Sequence, residues 1–341
     1  MFEEIKLKSK YSISLILSTA KKKTCSSLSI VLDTSADSVL RMLEHQATTT
    51  QELLDLAKKF FGEKPLLFIL DDSLLKKIYS KFIEGTSDNY DSADRRQCKS
   101  LCSIVGMLSD GAFALPINQK IWTSKEFAFE YKKKTELAQE LIEEIRKDVR
   151  IKCVVMDGLY ATTDMIDWCI KNQVAFECRF HSNRVIVTKR EGKVSLKNCR
   201  QLKLIGSRQA RTIPADWKGF SLYITSVRRI NRHGVCSVVY QVSNYKTSAL
   251  GHARIYGCRW QIEKFFRTAK QNLGLADCQS RKLFLQINHI KNVFLAYHFL
   301  QWEFRRMKLK NPETALNQLK SQNPKYLSIA LDRPGQIFHE T

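Results

Sequence analysis

The spacing of apolar residues divides the chain into a helical beginning, a strand-containing middle and a helical end. Through about residue 60, apolar residues recur at helical spacing, as Leu28, Val31 and Leu32 do, which predicts helices with one buried face. The segment 11–20 interrupts its apolar residues with three serines and precedes a run of lysines. We therefore expect an amphipathic helix there and no signal peptide.

After Gly62 the apolar period becomes strand-like. Residues 66–70 are all apolar and are followed by Asp71 and Asp72, which predicts a buried strand with acids at its carboxyl end. Residues 153–156 form a similar run that ends at Asp157. Further strands are predicted at 101–108, 113–117 and 174–179, a hairpin turn at 109–111, and helices at 124–148 and 163–172. This mixture predicts an α/β protein, more strictly of α+β class.

Residues 184–246 have a different pattern. Short alternating runs separated by glycine-containing turns predict a β-rich insertion, whereas helical spacing returns at Ala249 and continues to about residue 310. We therefore expect four regions: a helical N-terminal region at 1–62, a core made of 63–183 and 247–310, the insertion at 184–246, and a C-terminal tail at 311–341.

A polar turn at Asp33, Thr34 and Ser35 separates two short helical patterns in the N-terminal region. Two short helices joined in this way are typical of a helix-turn-helix that reads a DNA groove. They are equally typical of a plain helical hairpin that packs on the main domain. The spacing leaves both interpretations open.

Charge points to a polyanionic partner. The chain has 56 lysines and arginines against 34 acidic residues, a net charge of +22 and a pI near 9.6, which favours binding to nucleic acid. No apolar run reaches the roughly 18 residues that a membrane span requires, so we expect no membrane partner. Basic clusters that could line a DNA path are Lys21–Lys23, Lys132–Lys134, Arg228 with Arg229 and Arg232, and Arg305 with Arg306, Lys308 and Lys310.

Ten cysteines are scattered singly, without the paired spacing of a zinc site or the density of a small secreted scaffold. They indicate reduced thiols and a cytoplasmic protein.

Four chemically distinctive residues cluster near the C-terminal third. If one helix carries them, Tyr256, Arg259, Glu263 and Lys270 lie within about 60° of one another around its axis. An apolar stripe runs beside them and comprises Ile262, Phe265, Phe266, Ala269 and Leu273. An acid between cations on such a helix can help to hold a metal ion and a phosphate together.

Asp72, Asp157 and Glu263 form a candidate acidic constellation. If the two aspartate-bearing strands are neighbours, their carboxyl ends meet at one edge of the sheet. Carboxylate oxygens suit Mg²⁺, with Mn²⁺ as a substitute, and two such ions can activate a hydroxyl and stabilise a leaving oxygen at one phosphate. Each acid also has a structural interpretation: a helix cap, an ordinary turn or a surface ion pair.

At these residues the sequence resembles a known family. Tyr256, Arg259, Glu263 and Lys270 match Y-x2-R-x3-E-x6-K, the Tyr-Arg-Glu-Lys signature of a group of bacterial insertion-sequence DDE transposases. The sequences around Asp72 and Asp157 resemble the two catalytic strands of that group. The similarity runs from about residue 25 to about residue 305.

The resemblance implies a ribonuclease H-like core and Mg²⁺-dependent DNA cleavage and strand transfer at element ends. It assigns metal binding and catalysis to Asp72, Asp157 and Glu263. Asp71 is the alternative, as a supporting acid or as the first acid itself. The implied partners are double-stranded DNA with terminal inverted repeats, target DNA and a second copy in a homodimeric complex at the nucleoid.

Tyr256, Arg259 and Lys270 would hold DNA phosphates in that family. Some relatives stack a flipped base on a tryptophan of the insertion, and Trp217 could serve here, although a tryptophan packed on the sheet is the simpler interpretation. Two rival functions remain: a ribonuclease H-like nuclease without strand transfer, and an inactive transposase descendant that only binds DNA.

Overall fold

The computed structural model describes residues 2–45, 48–80, 82–126, 130–230, 233–309 and 311–321. Within these ranges the helices are α1 (Phe2–Leu17), α2 (Cys25–Leu32), α3 (Ala36–His45), α4 (Thr50–Phe61), α5 (Lys134–Arg146), α6 (Thr163–Lys171), α7 (Ala249–Gly257), α8 (Trp260–Asn272), α9 (Leu283–Arg306) and α10 (Pro312–Ser321). The strands are β1 (Leu66–Lys76), β2 (Ser87–Asp91), β3 (Arg96–Ser109), β4 (Ala114–Trp122), β5 (Ile151–Met156), β6 (Phe176–Phe180), β7 (Val185–Thr188), β8 (Gly192–Ser195), β9 (Ala210–Trp217), β10 (Phe220–Ile230) and β11 (Cys236–Ser243).

All the strands join one mixed sheet, flanked by helices. Strands β1, β5 and β6 are parallel neighbours, and β3 pairs with β1, β2 and β4 in antiparallel fashion. The insertion strands continue the same sheet, because β11 pairs with β6 and is followed outward by β10, β9, β7 and β8. The predicted α+β class, with the mixed sheet of a ribonuclease H-like protein, is confirmed.

The sheet separates two hydrophobic cores. Strand side chains alternate between faces, so Leu67 and Ile69 of β1 pack in the core that contains α8 and α9, and Phe68 and Leu70 pack in the core that contains α5 and α6. The predicted stripe of α8 is buried in the first of these cores. Helix α8 is therefore held firmly against one face of β1.

The N-terminal helices differ from the prediction in one respect. Residues 11–18 are buried on every side, so α1 is not amphipathic there. Its serines are accommodated by hydrogen bonds: Ser12 donates to the carbonyl oxygen of Asn292 on α9 at 3.0 Å, and Ser14 donates to its own helix. Helices α2 and α3 contribute Leu28 and Leu43 to the same core as α9, as the interpretation as a packed hairpin requires.

Two predicted elements have different boundaries. Strand β1 continues beyond the two aspartates to Lys76 because β3 pairs with it over that whole length. Helix α5 begins at Lys134, where Glu136 accepts a hydrogen bond from the backbone of Lys133 at 2.7 Å and caps the helix.

None of the described helices is both long and apolar enough to cross a membrane. Of the residues predicted to be basic or to form the tail, Arg232, Lys310 and 322–341 lie outside the described ranges.

Candidate active site

Strand β1 places its two aspartates on opposite faces of the sheet. Asp71 continues the face of Leu67 and Ile69 towards α8, and Asp72 continues the face of Phe68 and Leu70 towards α5. Although Asp71 and Asp72 are adjacent in the chain, one carboxylate therefore faces α8 and the other faces α5.

Asp71 belongs to the cluster around α8. Its Oδ2 lies 2.7 Å from Nη1 of Arg259, and the other guanidinium nitrogen of Arg259 contacts Glu263. All three side chains are largely shielded from solvent, with Glu263 the most exposed at 32%. One arginine thus bridges two of the acids that the sequence places 192 positions apart, at 71 and 263.

Asp157 lies beside this cluster. It follows the last residue of β5, and the parallel pairing of β1 with β5 ends at Leu70 opposite Met156. Asp71, within β1, and Asp157, just after β5, therefore lie at the same level of neighbouring strands. The backbone of Asp157 is fixed by its carbonyl oxygen, which accepts from the Tyr160 amide at 3.1 Å and the Cys178 thiol at 3.0 Å. Its carboxylate forms no hydrogen bond or ion pair with the described residues.

Asp72 is held elsewhere. Its Oδ2 lies 2.7 Å from Nζ of Lys134 at the start of α5, and its carboxylate also accepts from the Tyr160 hydroxyl at 3.4 Å and the Cys102 thiol at 3.5 Å. The structure therefore links Asp71 and Glu263 through Arg259, places the charge of Asp157 near Asp71, and leaves Asp72 on the other face. The alternation of β1 puts the two aspartates on opposite faces, but only the fold shows that α8 covers the face of Leu67, Ile69 and Asp71.

The predicted single helix around Glu263 is two helices. Helix α7 ends at Gly257 and α8 begins at Trp260, and the turn between them has tighter i→i−3 hydrogen bonds, such as the Arg259 amide to the Tyr256 carbonyl at 3.0 Å. Glycine has a low helix propensity, and Gly257 precedes the break. The break places the guanidinium of Arg259 between Asp71 and Glu263.

The signature residues consequently spread over two neighbourhoods. Tyr256 is buried beneath Arg259, whose guanidinium carbon lies 6.0 Å from the centre of the tyrosine ring. The Tyr256 hydroxyl is buried without a hydrogen-bond partner among the described residues. Lys270 lies at the far end of α8, where partial burial and then the nearby charge of Lys76 lower its pKa.

The crowded carboxylates of the cluster favour a bound cation. Burial raises the pKa of the Asp71 carboxyl to about 7; Arg259 opposes this rise, and the charges of Asp72 and Asp157 add to it. Carboxylates so crowded are the donor set that Mg²⁺ prefers, and the residue types fit a divalent ion. As the described side chains stand, however, no three acids, histidines or cysteines are close enough together to hold one, because Arg259 engages two of the acids.

Trp217 is packed inside the protein. Only 4% of it is exposed. The centroids of the Trp217 and Phe180 rings are 5.1 Å apart, and the guanidinium carbon of Arg184 lies 5.0 Å from the centre of the Trp217 ring. Such an arrangement matches a tryptophan packed on the sheet. Its predicted base-stacking role stays a prediction that this burial disfavours.

Several predicted basic residues have structural partners. Lys23 is 4% exposed and donates to the carbonyl oxygens of Ser18 and Ala20. Arg305 donates to the carbonyl oxygen of Phe60 at 2.7 Å. A basic cluster in the sequence is therefore not a continuous basic surface in the fold.

A buried polar group beneath the site was not predicted. Glu177 on β6 contacts His252 of α7 and accepts from the Tyr245 hydroxyl at 2.8 Å, and the side chains of Glu177 and His252 are at most 1% exposed. Burial raises the pKa of Glu177. His252 lies one turn before Tyr256, so this pair fixes the helix that leads into the site. An acid within the otherwise largely apolar run 174–180 was the available signal.

Comparison with known proteins matches most of the chain to one family. The family described as "Transposase DDE domain" matches residues 65–299, which contain Asp71, Asp72, Asp157 and the whole of α7 and α8. No curated protein matches the chain. Since the family match covers more than half of the 341 residues, the chain belongs to the transposase DDE domain family.

Proposed function

We propose that the protein cleaves DNA at the ends of an insertion sequence and joins those ends to target DNA, with Asp71, Asp157 and Glu263 as the catalytic acids. The observation that carries this proposal is that Arg259 pairs with both Asp71 and Glu263, while the charge of Asp157 lies near enough to raise the pKa of Asp71. We also propose membership of the Tyr-Arg-Glu-Lys subgroup, on the sequence signature alone.

Asp71 replaces Asp72 in this proposal because of the face it occupies. A first catalytic acid must reach the same reacting phosphate as Glu263, and only Asp71 shares a contact with Glu263 through Arg259. The ion pair of Asp72 with Lys134 links β1 to α5, which suits a residue that supports the strand.

Divalent ions, Mg²⁺ or Mn²⁺, would be held by Asp71, Asp157 and Glu263, and when bound they supply Lewis-acid stabilisation of the phosphate and activation of the attacking hydroxyl. The chain's own cations have a separate task. Arg259 presents two guanidinium edges and can bind a phosphate in bidentate fashion. A phosphate bound there competes for the contacts with Asp71 and Glu263, and so releases both carboxylates for the reaction.

Tyr256 and Lys270 complete the proposed phosphate contacts. The unpartnered Tyr256 hydroxyl is a donor already positioned beside Arg259, and Lys270 extends the cationic line along α8 by about 16 Å from Arg259 at 1.5 Å per residue. The net charge of +22 supports a duplex partner. We further propose that two copies act together on paired ends.

The test is a nicking and joining assay on duplex DNA taken from the sequence that flanks the gene, with Mg²⁺ and the full-length protein. We expect nicked and joined products from the wild type and none from Asp71→Asn, Asp157→Asn or Glu263→Gln. Asp167→Asn, in a surface pair on α6, is the matched control and should retain activity.

Other outcomes discriminate between the rivals. Cleavage without joined products would support a nuclease, and tight binding of the flanking duplex without any cleavage would support a DNA-binding descendant. Activity that survives Glu263→Gln would refute the assignment. Binding should also weaken with salt by about 0.9 log units per log unit of salt for each phosphate neutralised.

A further inference from the structure

A groove with exposed aromatic side chains lies beyond the carboxyl end of β1, past the two aspartates. It has a volume of about 680 Å³ and lies between the segment that follows β1 and the connection from α8 to α9, with Lys22 at its border. Tyr79 is 91% exposed and Phe82 is 73% exposed. Ile78, which lies between β1 and Tyr79 in the chain, is also exposed.

Hydrogen bonds hold the two walls of this groove in place. The buried Nζ of Lys77 donates to the carbonyl oxygens of Ala276 at 2.8 Å and Cys278 at 2.7 Å. At the other end, Glu84 donates from its amide to the carbonyl oxygen of Arg281 at 2.9 Å, and its carboxylate accepts from the amide of Leu283 at 2.9 Å. The aromatic rings are thus presented from a segment that is fixed on both sides of them.

Single exposed apolar residues are common on proteins, but several within one groove indicate a binding surface. The surroundings of these rings are cationic. The ammonium group of Lys22 lies 5.9 Å from the centre of the Tyr79 ring. The lining also contains Arg281 and Lys76, and Asp277 is the one acid among its described residues. Aromatic rings among cations are the chemistry that binds unpaired bases and their phosphates.

The groove is connected to the candidate active site by a line of basic residues. Asp71 and Lys76 lie on the same strand, about 17 Å apart at 3.3 Å per residue. Lys270 of α8 lies near Lys76, which is paired with Asp91 and Asp94, and Arg259 directly precedes the same helix. A nucleic-acid strand that leaves the acids along α8 therefore reaches Lys270, Lys76 and then the groove.

We propose that this groove binds unpaired nucleotides of a DNA strand, with Tyr79 and Phe82 stacking on bases and Lys22 and Arg281 contacting phosphates. A duplex cannot satisfy the rings, because its base faces are already stacked on one another, whereas an unpaired strand exposes them. The inference rests on the proposed function for the origin of that strand, which is the DNA opened at the cleavage site.

Binding of a fluorescent single strand of about 12 nucleotides, measured by anisotropy with the full-length protein in EDTA, tests the inference without any cleavage. We expect the double variant Tyr79→Leu with Phe82→Leu to bind about tenfold more weakly or worse, since stacking of each base contributes on that scale. Duplex binding should change by less than about twofold, because the rings contact no duplex. Tyr131→Leu, at an exposed tyrosine before α5, is the matched control.

Substitution of the cations gives a second measurement. Lys22→Gln with Arg281→Gln should reduce the salt dependence of single-strand binding by about 1.4 log units per log unit, since each phosphate contact contributes about 0.7. Photo-crosslinking of a bromodeoxyuridine-containing strand to the wild type should label Tyr79 or Phe82, a result that does not depend on the folding of any variant.

Three results would overturn the inference: unchanged single-strand affinity in the aromatic variant, an equal loss for duplex and single strand, or a change in oligomeric state that marks the groove as a contact between copies. Its failure is distinguishable from failure of the proposed function. The nicking assay depends on Glu263, and the binding assay in EDTA does not.

Discussion

Replacing Asp71 and Asp72 separately by asparagine tests which of the two adjacent acids belongs to the catalytic site. Burial raises the pKa of Asp71 from 3.8 to about 7. An acid that ionises less readily in the folded state costs stability as it becomes charged, so this contribution worsens as the pH rises from about 4 to about 7, by up to about 4 kcal/mol. We expect Asp71→Asn to remove most of that cost, and to be inactive.

The expected result is therefore a more stable and inactive protein. At about pH 8 the free energy of unfolding of Asp71→Asn should exceed that of the wild type by on the order of 1–4 kcal/mol, and the difference should vanish near pH 4. The loss of the pair with Arg259 places the true value towards the lower end of this range.

Asp72→Asn should behave in the opposite way. It leaves the ammonium group of Lys134, 24% exposed, without its carboxylate partner, and we expect a loss of stability of about 1–3 kcal/mol with cleavage retained. Urea unfolding followed by tryptophan fluorescence at both pH values, with cleavage rates corrected for the folded fraction, provides the comparison. An inactive but folded Asp72→Asn beside an active Asp71→Asn would falsify the reasoning from strand faces.

Three further predictions concern acid stability, metal binding and packing. Burial lowers the pKa of His298 from 6.5 to about 4, so stability should fall as the pH drops from about 6.5 to about 4 by up to about 3 kcal/mol; His298→Gln can still donate to the Pro116 carbonyl and should flatten that fall in urea titrations. Mg²⁺ at about 100 times its dissociation constant should stabilise the wild type by about 2.7 kcal/mol in thermal unfolding. This stabilisation should be absent in Glu263→Gln, and added EDTA should abolish it in the wild type. Gly106→Ala would place a methyl carbon 2.2 Å from the ring of the fully buried Phe68 and should cost about 1–3 kcal/mol or more, whereas Gly257→Ala meets no atom within 4 Å and serves as the control; equal unfolding free energies for the two variants would contradict the packing argument.

Much of the architecture could be predicted from local pattern. The strands predicted at 66–70 and 153–156 lie within the paired strands β1 and β5. The apolar stripe predicted from Ile262 to Leu273 is the buried face of α8 and of the residue that follows it. These predictions held because apolar periodicity reports directly on which face an element buries. The prediction for 11–20 was wrong because serines can be buried when their hydroxyls find carbonyl partners, as Ser12 does on α9.

The sequence predicted an acidic site with neighbouring cations, but it did not predict which aspartate of β1 lies beside Glu263. Glu263 and Asp157 were singled out from motif and position, and they lie where two elements converge. The choice between Asp71 and Asp72 depended on the side of β1 that α8 would cover, and the role of Arg259 depended on a helix break after Gly257. Both are consequences of tertiary packing, to which residue spacing along one element is insensitive.

Most of the elements, the acidic and basic chemistry and the family resemblance could be predicted from the chain alone, because each depends on local periodicity, residue type and motif spacing. Only the tertiary structure decided which acid meets Glu263, that Arg259 holds two carboxylates at once, and that exposed aromatic rings share a groove with Lys22 and Arg281. The physical reason is the two-residue period of a strand. A shift of one position along β1 moves a carboxylate to the opposite face of the sheet, and only the packing of helices on those faces gives the two positions different partners.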